Sequence, residues 1–212
     1  MTRTWLLLLG SLATVGFATI VLVVLPRVVL MTVQVPPELL YAHSQEEQQT
    51  IARGREVYLE NGCYYCHSQQ IRDPSFTTDV ERGWGDRASV PADYALDLPH
   101  ALGTMRTGPD LINVGQRLPD PNWHLLHLYE PRAVVPWSIM PAHPFLFEEK
   151  APDEVRPGEQ ALAVPPDLAP QGKVVVPKPD ALALVAYLLS LQRNFEVPVD
   201  TTRSGRSAHT MP

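Results

Sequence analysis

The chain has 212 residues, a formal net charge of −6 and 45% hydrophobic residues, which is room for one ordinary domain plus an appendage. It lacks the clustered Lys and Arg of a nucleic-acid footprint, so a nucleic-acid partner is not expected. The 22 prolines are about twice the usual share of roughly 5%, which favours long irregular loops over an all-helical bundle.

Residues 5–25 read WLLLLGSLATVGFATIVLVVL, without a charge. As a helix this stretch is about 31 Å long, which matches a hydrocarbon core of about 30 Å. A cleaved signal peptide has a shorter apolar run and a small-x-small site, and VVLMTVQVPPELL offers none. Residues 1–33 are therefore expected to be a retained membrane anchor. Arg3 and Arg27 flank the span almost evenly and leave its orientation open.

Residues 34–43 form a linker. Ser44, with Glu47 three residues on, predicts a capping box and a helix running to about Asn61, with Ile51, Gly54, Val57 and Tyr58 facing inward. Gly62 ends it just before CYYCH. Residues 72–107 have weak periodicity and read as a loop insertion. A short helix is expected over 122–129. Residues 148–179 are proline-rich and read as mostly extended or irregular. A last helix follows, with Asp180 as its expected N-cap and Leu184, Tyr187, Leu188 and Leu191 on its buried face. The domain spans 44–197, and 198–212 reads as a flexible polar tail.

The chemistry lies in Cys63-Tyr64-Tyr65-Cys66-His67, which hold the only two cysteines of the chain. Cys-x-x-Cys-His is the attachment pattern for haem c. Each thiol adds to one vinyl group, and the following His67 falls beneath the iron. A thioredoxin-like pair would need a βαβ setting, and a structural zinc site would need further Cys or His ligands. One covalent haem c is thus the expected cofactor. Because such haem is attached outside the cytoplasm, the amino terminus is expected inside and the domain outside the bacterial inner membrane.

A low-spin electron carrier needs a sixth iron ligand, and methionine raises the potential relative to histidine. Met140, in SIMPAHPF between stiffening prolines, is the preferred candidate. Met105 and His143 are the alternatives. Pro109, in GPDL, has a free carbonyl suited to accept from the other ring nitrogen of His67. Arg106, Arg117 and Arg132 are candidates to neutralise haem propionates, against ordinary surface pairing. His124 and His127, three apart, could pair on a metal but more often simply pack.

CYYCHSQQIR, RTGPDL and NVGQRLPDPNWHLLHLYEPRAVVPWSIMPAHPFL together resemble the mono-haem cytochrome c subunit of cbb3-type haem–copper oxidases, the FixO/CcoO family. The resemblance runs from about residue 53 to 147, and DALALVAYL repeats the family's final helix. It implies a mainly α protein: one N-terminal transmembrane helix plus a class I cytochrome c domain with long Pro-rich loops. Its terminal helices should cross with Gly54 and Tyr187 in close contact. It further implies Cys63, Cys66, His67 and Met140 as haem-holding residues. The implied role is non-catalytic: taking electrons from a cytochrome c donor and passing them to a large polytopic haem–copper catalytic subunit that reduces oxygen. The segment 88–93 and His143 depart from the family pattern. A nitric oxide reductase subunit of the same superfamily and a free tethered shuttle are the competing readings. A gas sensor would require an open iron position.

Overall fold

The computed structural model describes residues 3–197; the tail expected at 198–212 lies outside the described residues. α1 (Thr4–Thr19) continues through a π-helical turn (Ile20–Val24) into α2 (Leu25–Leu30). The π turn ends two residues before Pro26, which lacks an N–H and whose ring pushes away the carbonyl four residues back. Together they make a 27-residue helix, Thr4–Leu30, with mean hydropathy 2.4 and no buried residue in its most apolar stretch. It is long and apolar enough to cross a membrane. Thr14 and Thr19 donate their hydroxyls to the carbonyls of Gly10 and Val15, so these two hydroxyls need no water.

After a short helix, α3 (Pro37–Tyr41), the domain opens with α4 (Gln45–Glu60). Ser44 caps it as expected: Glu47 N donates to Ser44 Oγ at 3.3 Å, and Ser44 N donates to the Glu47 carboxylate at 2.8 Å. Gly54, Val57 and Tyr58 are buried, and Ile51 is half-buried. α4 crosses the last helix, α7 (Pro179–Ser190). The crossing is close because Gly54 has no side chain. A Cβ there would lie 1.8 Å from the Ala183 carbonyl oxygen and 2.8 Å from Tyr187 Cβ. The closest contact of Gly54 is thus the backbone of Ala183, with Tyr187 next to it.

Asp180 does not cap α7. Lys178 holds the N-cap position and Pro179, with its preset φ, takes the first turn. The Asp180 carboxylate instead receives Nε and Nη2 of Arg53 at 2.9 and 2.8 Å, tying α7 to α4. The expected buried face is present, and Ala181, Ala183 and Val185 widen it.

Between these helices lie α5 (Val114–Arg117) and α6 (Pro121–Tyr129), the latter capped by Asp120, whose side chain accepts from Asn122 N at 2.9 Å. Gly115 lets α5 approach α7, since a Cβ there would lie 2.0 Å from the Leu189 carbonyl oxygen.

The segment expected to be irregular after residue 147 contains a small sheet. β1 (Phe147–Lys150) pairs antiparallel with β2 (Val174–Pro177), in the register Phe147↔Pro177 and Lys150↔Val174. Three consecutive valines suit a strand, and Val175 and Val176 are buried. Leu162 N donates to Val175 O at 2.7 Å and pins the intervening excursion.

The insertion at 72–107 has one short 3₁₀ turn, Pro91–Tyr94, yet it is tightly ordered by two buried carboxylates. Asp93 receives Arg87 through two nitrogens at 2.9 and 2.7 Å and Val90 N at 2.8 Å. Asp79 receives Arg72 N at 2.9 Å, with the guanidinium groups of Arg72 and Arg106 beside it.

Candidate haem site

α4 ends at Glu60 with Asn61 as its C-cap, and Gly62 turns the chain with φ +67°, a left-handed value that other residues resist. A 3₁₀ turn, Cys63–Tyr65, follows at once. The N–H groups of Cys66 and His67 both donate to Cys63 O, at 3.2 and 3.0 Å. One compact turn therefore carries both thiols and the imidazole. Both cysteines are free; Cys63 is half-buried and Cys66 exposed. Burial pushes the Cys63 thiol up to about 11.

His67 is held on two sides. Its Nδ1 lies 2.8 Å from Pro109 O. A carbonyl only accepts, so Nδ1 carries the proton and Nε2 keeps its lone pair. Burial lowers the proton affinity of the ring, against the pull of Pro109 and of the Asp110 charge. Gly108 lies against the ring: a Cβ there would be 2.3 Å from Cε1 and 2.8 Å from both ring nitrogens. The GPDL turn is laced to the histidine strand by Gly108 N to Cys66 O at 3.0 Å and Leu111 N to Ser68 O at 2.8 Å. Asp110, fully buried, accepts from Ser68 Oγ at 2.6 Å and Gln70 N at 2.7 Å.

Sequence reasoning missed two supports of this turn. One is Asp110, whose carboxylate was not separated from its GPDL context. The other is Gly103, with φ +75°, where a Cβ would be 2.4 Å from His67 O. An isolated glycine in ALGTMRTG was the only signal for it.

Met140 is half-buried against the apolar cluster that also receives Cys63 and Tyr64. Its loop is rigid. Val135 N donates to Pro131 O, Ser138 N to Val135 O and His143 N to Leu128 O, at 3.0, 2.8 and 2.8 Å. Met105 is 59% exposed. The Nδ1 atoms of His127 and His143 are shielded from solvent and have no hydrogen-bond partner among the described residues. Burial, reinforced by His67, His124 and His143, pushes His127 down to about 4, so its ring is neutral. His124 commits Nε2 to Leu118 O at 2.8 Å, and His127 stacks on Trp123 at 4.8 Å. These two histidines pack, and no group of three or more metal-binding side chains occurs among the described residues.

Two thiols, an imidazole with a free Nε2 and a half-buried thioether are the donor types that a haem c site uses, and a ring cradled by a glycine suits a ligand. The family model described as cytochrome c oxidase, mono-heme subunit/FixO matches residues 2–164. The chain belongs to this family. It is a mono-haem cytochrome c subunit of a cytochrome oxidase, helix-rich, with one N-terminal helix able to span a membrane. No curated protein matches the chain.

Within this FixO chain, Arg106 is taken up by protein acceptors. Its Nε donates to Ser68 Oγ at 2.7 Å, Nη1 to Asp79 and Nη2 to Gln70 O. Its guanidinium also lies 5.4 Å from the ring centroid of Trp84, with Arg82 at 5.1 Å. Burial raises the proton affinity of Asp79, but hydrogen bonds from Arg72 and Arg106 outweigh it and hold the carboxyl well below the usual range. Arg132 is exposed and lies near Glu130 at 3.8 Å.

Proposed function

We propose that this subunit is a low-spin electron relay. It carries one haem c, attached through Cys63 and Cys66 and bound axially by His67 and Met140. The observation that carries the reading is the fixed imidazole beside two free thiols: Nδ1 on Pro109 O at 2.8 Å, with Nε2 left as a lone pair. When bound, the haem supplies a one-electron iron couple. Pro109 orients His67 and strengthens it as a donor. Met140, held by its proline-stiffened loop, would supply the second iron ligand and so keep gases from the iron. Arg106 braces the insertion against Ser68 and Asp79, and so steadies the segment that follows the axial histidine.

The helix Thr4–Leu30 anchors the domain, with the amino terminus inside and the haem domain on the outer face of the bacterial inner membrane. Electrons pass from a cytochrome c donor to a large polytopic haem–copper subunit, which reduces oxygen. Purification in mild detergent tests this. A polytopic haem–copper subunit should co-purify, and the complex should turn over oxygen. Isolation of the chain alone would make it a free shuttle, and turnover of nitric oxide in place of oxygen would make the partner a nitric oxide reductase.

A further inference from the structure

Among the described residues three carboxylates are buried: Asp79, Asp93 and Asp110. Asp79 takes bonds from the guanidinium groups of Arg72 and Arg106, and Asp93 from that of Arg87. Asp110 takes none. Its Oδ2 accepts from Ser68 Oγ at 2.6 Å and Gln70 N at 2.7 Å, and its Oδ1 accepts from Ile112 N at 2.9 Å. A backbone N–H on each oxygen holds the group as the anion. Its closest cation is Arg106, with Nη2 at 3.7 Å, but that guanidinium is spent on Ser68, Asp79 and Gln70. Arg117 donates to the main-chain carbonyl of Asp110, not to its carboxylate.

This charge sits beside the axial imidazole on both sides of the turn. Pro109, whose carbonyl holds His67 Nδ1, directly precedes Asp110, and Ser68, which bonds the carboxylate, directly follows His67. Burial lowers the proton affinity of His67, and the Pro109 carbonyl and the Asp110 charge oppose it. A buried anion without a bonded cation destabilises a fold, but at this position it acts on whatever His67 binds. We propose that Asp110 sets the potential of the haem iron: its buried negative charge favours the ferric form, which carries one more positive charge, and offsets the high potential that a methionine ligand confers. The assignment rests on the haem c reading above. A lowered potential makes the subunit a stronger reductant of its acceptor.

The experiment is a redox titration of the haem c in the intact complex, with wild type beside Asp110→Asn and Asp110→Glu. Asp110→Asn removes the charge and should move the equilibrium about tenfold toward the reduced form, about 59 mV for one electron. Asp110→Glu keeps the charge and should recover most of the wild-type midpoint. A purely structural role predicts the opposite sign for Asp110→Asn, because a loosened turn admits water and water favours the ferric form. A midpoint unchanged or lowered in Asp110→Asn, with haem intact, overturns the assignment. If Asp110→Asn does not accumulate, redox-difference infrared spectroscopy of wild type and Asp110→Glu decides, each grown with carboxyl-labelled aspartate to set protein bands apart from those of the haem carboxylates. An ionised-carboxylate band that shifts with the label in wild type and is lost in Asp110→Glu supports the assignment, and a spectrum without one overturns it. A wild-type chain without covalent haem overturns the haem reading itself; a haem-loaded chain indifferent to the charge at Asp110 overturns only this assignment.

Discussion

Gly54 and Ala183 meet backbone to backbone where α4 crosses α7, so closely that a Cβ on Gly54 would sit 1.8 Å from the Ala183 carbonyl oxygen. Backbone cannot rotate aside as a side chain can. Gly54→Ala must therefore pry the helices apart and loosen the core holding Val57, Tyr58, Leu184 and Tyr187. The expected loss is about 3 kcal/mol or more, read as a lower denaturation midpoint of the intact protein. A midpoint within error of wild type would mean that the crossing is looser than described.

The ring of His67 sits against Gly108 with no room for a methyl group, since Cβ would come within 2.3 Å of Cε1. Gly108→Ala should displace the imidazole or the GPDL turn and reduce haem incorporation. Haem per polypeptide, measured by the pyridine haemochromogen, checks this. Full incorporation with an unaltered spectrum would show that the ring has freedom that the geometry denies.

Asp79 links the insertion to the site through Arg72 and Arg106, which hold its carboxyl below its ordinary value. A group whose folded pKa is depressed stabilises the fold at pH above its unfolded value of about 3.9, and that stability is lost as pH falls further. Asp79→Asn should thus cost about 2 kcal/mol at neutral pH. The gap from wild type should shrink as pH drops below about 4. Stability curves for both proteins at several pH values test the sign, and a gap that widens in acid would contradict it.

These features differ in how legible they were in the sequence. The apolar N-terminal helix, the Ser44–Glu47 cap, the CYYCH turn and the buried face of α7 follow from local rules: a long apolar run, one capping box, one fixed spacing and one helical period. The β1–β2 pair was missed because its strands are four residues each and separated by a proline-rich excursion, so no alternation or turn signal joins them. Asp180 looked like a cap because it precedes an apolar run, but Pro179 claims the helix start and Arg53, distant in sequence, claims the carboxylate. The order of the insertion depends on Asp79 and Asp93 meeting arginines, which spacing alone does not reveal. For the same reason the sequence did not show that Ser68, Asp79 and Gln70 take up Arg106.

Met140 is the proposed sixth ligand, so Met140→Ala should convert the reduced low-spin spectrum to a high-spin, carbon monoxide-binding one while leaving the covalent haem in place. An unchanged low-spin spectrum would pass the role to another side chain, with His143 first in line, since its shielded Nδ1 lies on the same loop.

The central claim is that Cys63, Cys66 and His67 hold one covalent haem. Intact-mass analysis of the purified chain, with wild type beside Cys63→Ala/Cys66→Ala, tests it most directly. The wild-type chain should be heavier than its polypeptide by one haem, with a c-type haemochromogen spectrum, and the double variant should carry no covalent haem. A wild-type chain at bare polypeptide mass after maturation in a strain that attaches haem c would contradict the account.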